Sequence, residues 1–268
     1  MTRQDLPEPV ITEEQVAQFW QVGFISGIPI LTPRQTQLAR ERFETLEAQA
    51  SDEAGEEWMR DEYAPWNSRP HPLKAWCHAI SNHPRIIQAV SAILGPDLLI
   101  RNGDIFMKDP GNTRRIRWHV DSTAPIEESH QMVTAWLGLS ESTLDNGAMH
   151  FIPGSHKMPL PSRNKDKHHL SFRGDDLKAL NRLPSVPNLM APGHLSIHTF
   201  RTLHRSGGNH TDVRRFGYVT RFISPHVSPE ASECGQAFVA LGENTAGKLE
   251  NRPSFPVWWQ RSAPRSRR

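Results

Sequence analysis

The hydrophobic pattern of this chain changes at about residue 98, and this change limits the possible folds more than any other feature. Before that point, apolar residues recur at helical intervals; after it, short segments alternate as strands do. The predicted strands run from Leu98 to Met107, Ile116 to Asp121, Met132 to Leu139, Ala148 to Ile152, Leu195 to Phe200 and Val213 to Ile223. Helices followed by short antiparallel strands predict a mainly β fold with flanking helices, built as a sandwich or barrel.

Helices are predicted before the strands wherever a start or stop signal accompanies the periodicity. The first predicted helix has a capping box, in which a threonine and a glutamine bond to each other's backbone N–H groups. The second begins with a Thr-Pro pair, and the third begins after His-Pro and ends at a glycine. These helices are predicted over residues 12–23, 32–46 and 82–95, with a short strand after the first.

Two long segments lack such periodicity. Residues 51–75 contain Trp58, Tyr63 and Trp66 among several prolines, a composition that suits either a lid over a binding site or a plug at the edge of the core. Residues 157–190 form a polar insertion rich in lysine and histidine. Both are candidates for substrate selection.

Length and composition favour one domain. A chain of 268 residues with 37% hydrophobic residues can bury one substantial core. We expect a single domain over residues 1–268. Its expected parts are N-terminal helices at about 12–95, a β core at about 98–225 interrupted by the 157–190 insertion, and a C-terminal extension at 226–268.

Charge and cysteine content argue against several classes of protein. The net charge is +2 and the basic residues are scattered, so no stripe predicts a nucleic-acid partner. Cys77 and Cys234 give neither a disulfide framework nor a Cys-x-x-Cys metal pattern, which favours a reducing compartment. Neither a signal peptide nor an apolar run of membrane-spanning length is evident. We expect a cytoplasmic protein without a membrane partner, and the oligomeric state stays open.

The strongest chemical motif is His119-x-Asp121. Side chains two residues apart on a strand share a face, so an imidazole and a carboxylate converge. They would supply two of the three ligands of a 2-His-1-carboxylate iron site. The alternative is a partly buried histidine oriented by a neighbouring carboxylate. His210-x-Asp212 has the same spacing but lies among turn-favouring residues, where side chains need not converge.

The residues alone do not identify a third ligand. The candidate histidines are His150, His156, His194, His198, His204 and His210. A charged run from Lys108 to Arg117 precedes the motif. Such a run either steers an anionic substrate or forms the solvated face of a hairpin.

Three segments resemble the phytanoyl-CoA dioxygenase family: Trp118–Asp121, Asp145–His156 and Leu203–Asn209, the last followed by Arg214–Arg215. Members of this family are iron(II)- and 2-oxoglutarate-dependent oxygenases on a double-stranded β-helix, a jelly roll of the cupin type. The resemblance extends from the segment 16–24 to about Pro225, with the motifs in the same order. It implies iron(II) as the metal and 2-oxoglutarate and O2 as co-substrates.

The resemblance also implies the metal ligands. His204, in its His-x-Ser-x-x-Asn context, becomes the third ligand beside His119 and Asp121. His198 is then not a ligand. The histidines at 150 and 156 lie in motifs that are structural in the family.

A co-substrate site is implied as well. Arg215 lies eleven residues after the distal histidine, where the family's arginine grips the far carboxylate of 2-oxoglutarate with parallel hydrogen bonds. Arg214 is the neighbouring candidate, but strand alternation sends the two to opposite faces. Ser206 and Trp136 are implied contacts of the co-substrate. Arg221 shares a face with Arg215 and either lines the same interior or closes a salt bridge.

The implied reaction is hydroxylation of an unactivated C–H bond of a small molecule, with release of succinate and carbon dioxide. Asp121 argues against halogenation, because halogenating relatives replace this ligand with a small residue. Desaturation and ring formation stay open, since they depend on substrate placement. The alternative class is a non-catalytic β-barrel that binds a ligand or zinc, but such a binder would not need the complete set of ligands and arginine. The sequence does not name the substrate.

Overall fold

The computed structural model describes residues 8–54, 72–122, 124–159, 172 and 174–251. Trp58, Tyr63 and Trp66, on which the expected lid rests, lie outside the described residues, as does the middle of the predicted insertion at 160–171. Within the described ranges, no helix combines the length and the apolar character needed to span a membrane.

The strands form two sheets. They are β1 (Phe24–Pro29), β2 (Leu98–Lys108), β3 (Ile116–His119), β4 (Met132–Gly138), β5 (Met149–Phe151), β6 (Val186–Pro187), β7 (His194–Thr199), β8 (His204–Ser206), β9 (Arg215–Ile223), β10 (Gln236–Leu241) and β11 (Glu250–Asn251). The larger sheet has the order β1-β7-β4-β9-β2-β10-β11 and the smaller one β3-β8-β5-β6. Because the chain passes repeatedly from one sheet to the other, the topology is that of a jelly roll, and the predicted fold class is confirmed.

The helices flank the sheets and largely follow the predicted signals. They are α1 (Glu13–Val22), α2 (Pro33–Ala54), α3 (Pro72–Ser81), α4 (Pro84–Leu94), α5 (Ile126–Ser129), α6 (Gly174–Leu180) and α7 (Pro229–Ser232). The capping box of Thr12 and Gln15 is present, and Gly23 ends α1 in the left-handed conformation. Helix α2 is longer than predicted. Helix α3 was not predicted, because Pro72 resembled part of a loop although proline is well tolerated at a first helical position.

The N-terminal helices bury the outer face of the larger sheet. Phe19 from α1, Phe43 from α2, Trp76 from α3 and Ile87 from α4 belong to one core cluster with Phe216 of β9. Burial of each such side chain stabilises the fold by about 1.5–3 kcal/mol. The alternate residues of the same strands must therefore point away from the helices, towards the smaller sheet.

The register of the larger sheet aligns four polar side chains on this inner face. His198 of β7 lies opposite Thr134 of β4, Thr134 opposite Arg221 of β9, and Arg221 opposite Asn102 of β2. Directly opposed residues on neighbouring strands have Cβ atoms about 4.5–5.5 Å apart. These four side chains therefore form one polar row across the inner face of the larger sheet.

Four of the described strands lie outside the predicted β core or within its predicted insertion. β10 and β11, in the predicted C-terminal extension, pair with each other, and β10 also pairs with β2. β6, in the predicted insertion, pairs with β5. β1 pairs with β7, where Phe24 lies opposite His198. The core therefore extends on both sides of 98–225. The other predicted strand ends agree with the structure within two residues.

Candidate active site

His119, Asp121 and His204 meet between the two sheets. His119 and His204 lie directly opposite each other on β3 and β8. Asp121 follows the end of β3, where its backbone N–H donates to the carbonyl of Phe200 at 2.8 Å. One potential ligand atom from each of the three side chains lies within 4.8 Å of the others. This spacing suits a shared metal ion.

Backbone hydrogen bonds orient both imidazoles. Nδ1 of His119 lies 2.9 Å from the carbonyl oxygen of Arg117, and Nδ1 of His204 lies 3.0 Å from that of Thr202. A carbonyl only accepts, so Nδ1 carries the proton and Nε2 keeps a lone pair for a metal. Burial lowers the pKa of each histidine to about 4. Both rings are therefore neutral at pH 7, as metal ligation requires.

Asp121 is held through one of its two oxygens. Oδ2 accepts hydrogen bonds from Thr134 Oγ1 at 2.5 Å and from His198 Nε2 at 3.2 Å. Oδ1 faces Nε2 of His204 at 3.9 Å. Burial alone would raise the pKa of Asp121, but the hydrogen bond from His198 and nearby positive charge hold it well below its ordinary value. The carboxylate is thus ionised, with one oxygen directed at the histidines.

A cavity of about 110 Å³ opens beside these three residues. Both sheets line it, and its walls include the implied co-substrate residues Trp136, Ser206 and Arg215. Val219 and Met149 supply apolar surface. The residues predicted for metal and for co-substrate therefore share one space.

Arg215 is buried with unused hydrogen-bonding capacity. Its side chain donates to the carbonyl of Gly147 at 2.6 Å, and its guanidinium carbon lies 5.0 Å from the centre of the Trp136 ring. Nε of Arg215 and Oγ of Ser206 are both buried without a hydrogen-bond partner among the described residues. Burial lowers the pKa of Arg215 to about 10, so the guanidinium stays charged at pH 7. Unpaired donors beside a buried cation fit an incoming carboxylate.

The match to a family model agrees with this site. The model described as phytanoyl-CoA dioxygenase (PhyH) matches residues 19–217, which include His119, Asp121, His204 and Arg215. The chain belongs to the phytanoyl-CoA dioxygenase family.

Two proteins similar to this phytanoyl-CoA dioxygenase family member are named as oxygenases. A probable alpha-ketoglutarate-dependent hypophosphite dioxygenase of Stutzerimonas stutzeri is 31% identical over 152 residues, covering 54% of this chain and 52% of that protein. The chain thus spans about half the length of this curated relative. The non-heme monooxygenase ThoJ is similar in structure, with a TM-score of 0.70, 27% identity and coverage of 89% and 87% of the two chains.

An enzyme that is named for a different reaction has the same fold. SnoK, a non-heme alpha ketoglutarate dependent carbocyclase from nogalamycin biosynthesis, has a TM-score of 0.62 and 23% identity, with coverage of 80% of this chain and 85% of SnoK. At this identity the likeness establishes the fold alone. The phytanoyl-CoA dioxygenase fold of this chain is therefore compatible with more than one oxidative reaction.

The family motif His204-x-Ser206-x-x-Asn209 has a structural component. Asn209 is fully buried, and its side-chain amide donates to the carbonyls of Lys108 and Val213, each at 2.8 Å. This asparagine joins the end of β2 to the segment before β9. It thereby fixes the end of the cavity at which Arg215 lies.

The two neighbouring arginines lie on different faces, as predicted. Arg215 lines the cavity, whereas Arg214 forms ion pairs with Glu47 of α2 at 2.7 Å and with Asp109 at 2.5 Å. Arg214 is half-buried on its face, because α2 covers this face and supplies a partner. Arg221 meets both expectations, since it lines the cavity and pairs with Asp104.

His198 and Thr134 both bond to Asp121, a contact that the sequence did not reveal. His198 lies outside the group of three potential ligands, in keeping with the family pattern, yet it contacts Asp121. No local signal marks either residue, because only the pairing of β7 with β4 brings them to the carboxylate.

The remaining histidine candidates lie elsewhere. His210 and Asp212, the second His-x-Asp pair, are exposed on a turn. His150 and His156 lie outside both the ligand group and the cavity lining. His156 is buried with Nε2 3.2 Å from the carbonyl of Trp20, which is a structural contact.

Proposed function

We propose that this chain is an iron(II)- and 2-oxoglutarate-dependent dioxygenase that hydroxylates an unactivated C–H bond of a small molecule. The observation that carries the proposal is the common cavity of the His119–Asp121–His204 group and the buried, incompletely bonded Arg215. A non-catalytic barrel has no use for both features together. Membership of the phytanoyl-CoA dioxygenase family and the likeness to a non-heme monooxygenase support the same conclusion.

Each part of the site has a role in this proposal. Nε2 of His119, Nε2 of His204 and Oδ1 of Asp121 would hold iron(II), while Arg215 and Ser206 would bind the far carboxylate of 2-oxoglutarate. When bound, iron(II) supplies the oxidising power by coupling the conversion of 2-oxoglutarate and O2 to succinate and carbon dioxide with oxidation of the substrate.

The chain itself supplies position and exclusion of water. Thr134 and His198 keep the Asp121 carboxylate in one orientation, so the ligand geometry is set before a metal arrives. The Trp136 ring and Val219 form an apolar wall beside Arg215. A guanidinium in such surroundings binds a carboxylate more strongly than one in water does.

Hydroxylation is proposed over the other oxidative outcomes. Asp121 occupies the ligand position that halogenating relatives leave open, so halogenation is disfavoured. Desaturation and ring formation use the same metal site, and they differ from hydroxylation in where the substrate is held. Analysis of the oxidised product distinguishes these outcomes.

The test is oxygen-dependent release of succinate from 2-oxoglutarate by the iron-loaded protein. The His119→Ala, Asp121→Ala and His204→Ala variants should each lose this turnover, because a ligand is removed. His210→Ala is the matched control and should keep most of it. Full turnover in His204→Ala, or none in the wild-type protein with any substrate tried, would contradict the proposal.

Small oxyanions come first in a substrate screen. The relatives include a methylphosphonate hydroxylase of Gimesia maris and a probable hypophosphite dioxygenase, and Arg205 lines the cavity in addition to the cations that already have a carboxylate partner or a proposed role. Amino acids and acyl-CoA thioesters form the comparison sets. A compound that stimulates succinate release, and is itself oxidised in equal amount, identifies the substrate class.

A further inference from the structure

Lys108 and Arg215 place two positive charges side by side at one end of the cavity. Lys108 of β2 lies directly opposite Arg215 of β9, and both side chains line the cavity. They are 8% and 5% exposed, respectively. Like charges opposed across two strands destabilise a sheet, and burial increases the cost.

No carboxylate among the described residues balances these two charges. Lys108 Nζ donates to the carbonyl oxygens of Arg114, at 2.9 Å, and Gly207, and Arg215 donates to that of Gly147. Three other arginines in or beside the cavity differ. Arg221 pairs with Asp104 and Arg214 with Glu47, and Arg205 donates to Oδ1 of Asn181 at 3.2 Å. The excess charge is thus concentrated where Lys108 and Arg215 meet.

The ammonium group of Lys108 retains capacity for another partner. It has three N–H donors, of which two are used by the carbonyls of Arg114 and Gly207. Gly207 follows Ser206, whose buried hydroxyl lacks a partner in the part of the chain that the structure describes, as does Nε of Arg215. Three separate elements, β2, β8 and β9, therefore direct unused donors to one end of the cavity.

We propose that Lys108 is a second cation of the co-substrate site and binds the far carboxylate of 2-oxoglutarate together with Arg215 and Ser206. The proposal rests on the proposed function, which supplies the ligand. Asn209 supports it, because the amide of this residue fixes the backbone of Lys108 through the hydrogen bond to its carbonyl. Burial and the charges of Arg215 and Arg114 lower the pKa of Lys108 to about 8, because both disfavour the charged ammonium form. A carboxylate bound beside Lys108 would favour that form.

The competing interpretation is that Lys108 only ties the loop before β3 to Gly207. A Lys108→Gln variant separates the two roles, because glutamine keeps a donor for the carbonyls and loses the charge. Two ligands then isolate the far carboxylate: 2-oxoglutarate, and 2-oxopentanoate, which has a methyl group in its place. Binding is measured by calorimetry without oxygen, with manganese(II) in place of iron(II).

Lys108→Gln should weaken 2-oxoglutarate binding about tenfold or more, because a charge-assisted hydrogen bond is lost. Binding of 2-oxopentanoate should stay within a factor of about two, and Lys108→Arg should restore most of the affinity for 2-oxoglutarate. Lys157→Gln is the matched control, since this exposed lysine also donates to a backbone carbonyl, that of Gln21. Equal weakening of both acids, or of neither, would overturn the proposal.

A measurement on the unaltered protein covers the case in which Lys108→Gln does not fold. A crystal structure of the wild-type protein with manganese(II) and 2-oxoglutarate should place Nζ of Lys108 within about 3.2 Å of the far carboxylate. Contacts of Nζ to Arg114 and Gly207 alone would refute the role of Lys108. Failure of the wild-type protein to bind 2-oxoglutarate would instead refute the proposed function.

Discussion

At the scale of single residues, the Asp121 carboxylate has its two oxygens in different surroundings. Thr134 and His198 both donate to Oδ2, and Oδ1 is directed at His204. Because a carboxylate on a rotatable side chain otherwise samples several orientations, these two donors reduce the entropy lost when a metal binds. Their contribution can be measured separately from that of the ligands.

The first prediction concerns these two donors. His198→Ala and Thr134→Val should each lower metal affinity about tenfold to a hundredfold, the usual effect of removing a partner that orients a ligand. Competition with a fluorescent chelator measures this affinity without any turnover. Thr134→Ser keeps the hydroxyl and serves as the control. If metal affinity is unchanged in both His198→Ala and Thr134→Val, the two hydrogen bonds to Asp121 do not contribute to metal binding.

The second prediction concerns the pH dependence of stability at Lys108. Its pKa of about 8 in the folded protein lies below the ordinary value of 10.5. Between these two values the unfolded chain binds more protons, so the contribution of Lys108 to stability rises with pH in this window. Below pH 8 the full penalty of the buried charge remains.

Denaturant unfolding of the wild-type and Lys108→Gln proteins checks this sign. Between about pH 8 and pH 10.5, the free energy of unfolding of the wild-type protein should rise relative to that of the variant. The difference between the two proteins removes the effects of all other titrating groups. A difference that is constant over this range would show that Lys108 is not perturbed by its surroundings.

The sequence predicted part of the site, and the missing part has a common cause. His119 and Asp121 share a face because of strand alternation, which is local and therefore readable. His198, Thr134 and Lys108 act through partners on other strands, so their roles depend on a register between distant segments. The third ligand was also undetermined by the residues alone, and only the family resemblance distinguished His204 from its competitors.

At the scale of elements, strand β9 supplies both the arginine and the space beside it. A Cβ at Gly217 would overlap the indole ring of Trp136, against which Arg215 lies. Glycine is thus needed on this strand because another residue's ring occupies the volume of its missing side chain. Weakening of the strand by glycine is the cost of this arrangement.

The third prediction follows from that contact. Gly217→Ala should displace Trp136, move Arg215, and weaken 2-oxoglutarate binding about tenfold, with a stability loss of about 1–3 kcal/mol from overpacking. Gly235→Ala is the control, since no heavy atom of the described ranges lies within 4 Å of its added Cβ. Calorimetry and thermal melting report the two effects. If Gly217→Ala lowers stability but binds 2-oxoglutarate normally, the position of the Trp136 ring does not affect the anion site.

Elements were predicted where the chain carries a local signal. The capping box of Thr12 and the glycine at 23 define α1, and alternation defines the central strands. β10 was missed because four of its six residues are buried without strict alternation, and its partner β2 lies far away in sequence. Such a segment has no local mark that distinguishes it from any short apolar run.

At the scale of the whole molecule, the candidate metal site connects the two sheets. His119 and His204 belong to the smaller sheet, while Asp121 is bonded to Thr134 and His198 of the larger one. An ion bound by all three residues would therefore link the sheets. Metal should accordingly stabilise the fold as a whole.

The fourth prediction is a rise in melting temperature on ligand binding. Manganese(II) at a hundred times its dissociation constant should add about 2.7 kcal/mol, and 2-oxoglutarate should add a further increment. For a chain of this size, the first step corresponds to a rise of about 5–10 °C. A chelator should reverse it, and Asp121→Ala should abolish it, whereas Asp212→Ala should not. A metal-induced rise that persists in Asp121→Ala would place the ion elsewhere.

The pairing of β1 with β7 has a consequence for synthesis of the chain. Phe24 and His198 are partners about 170 residues apart, so at roughly 5–20 residues per second β1 leaves the ribosome about 10–30 seconds before its neighbour exists. His119 likewise has no strand partner until His204 has been synthesised. The nascent chain therefore cannot acquire iron until most of it has been translated, and until then an unpaired β1 is open to premature contacts with other chains.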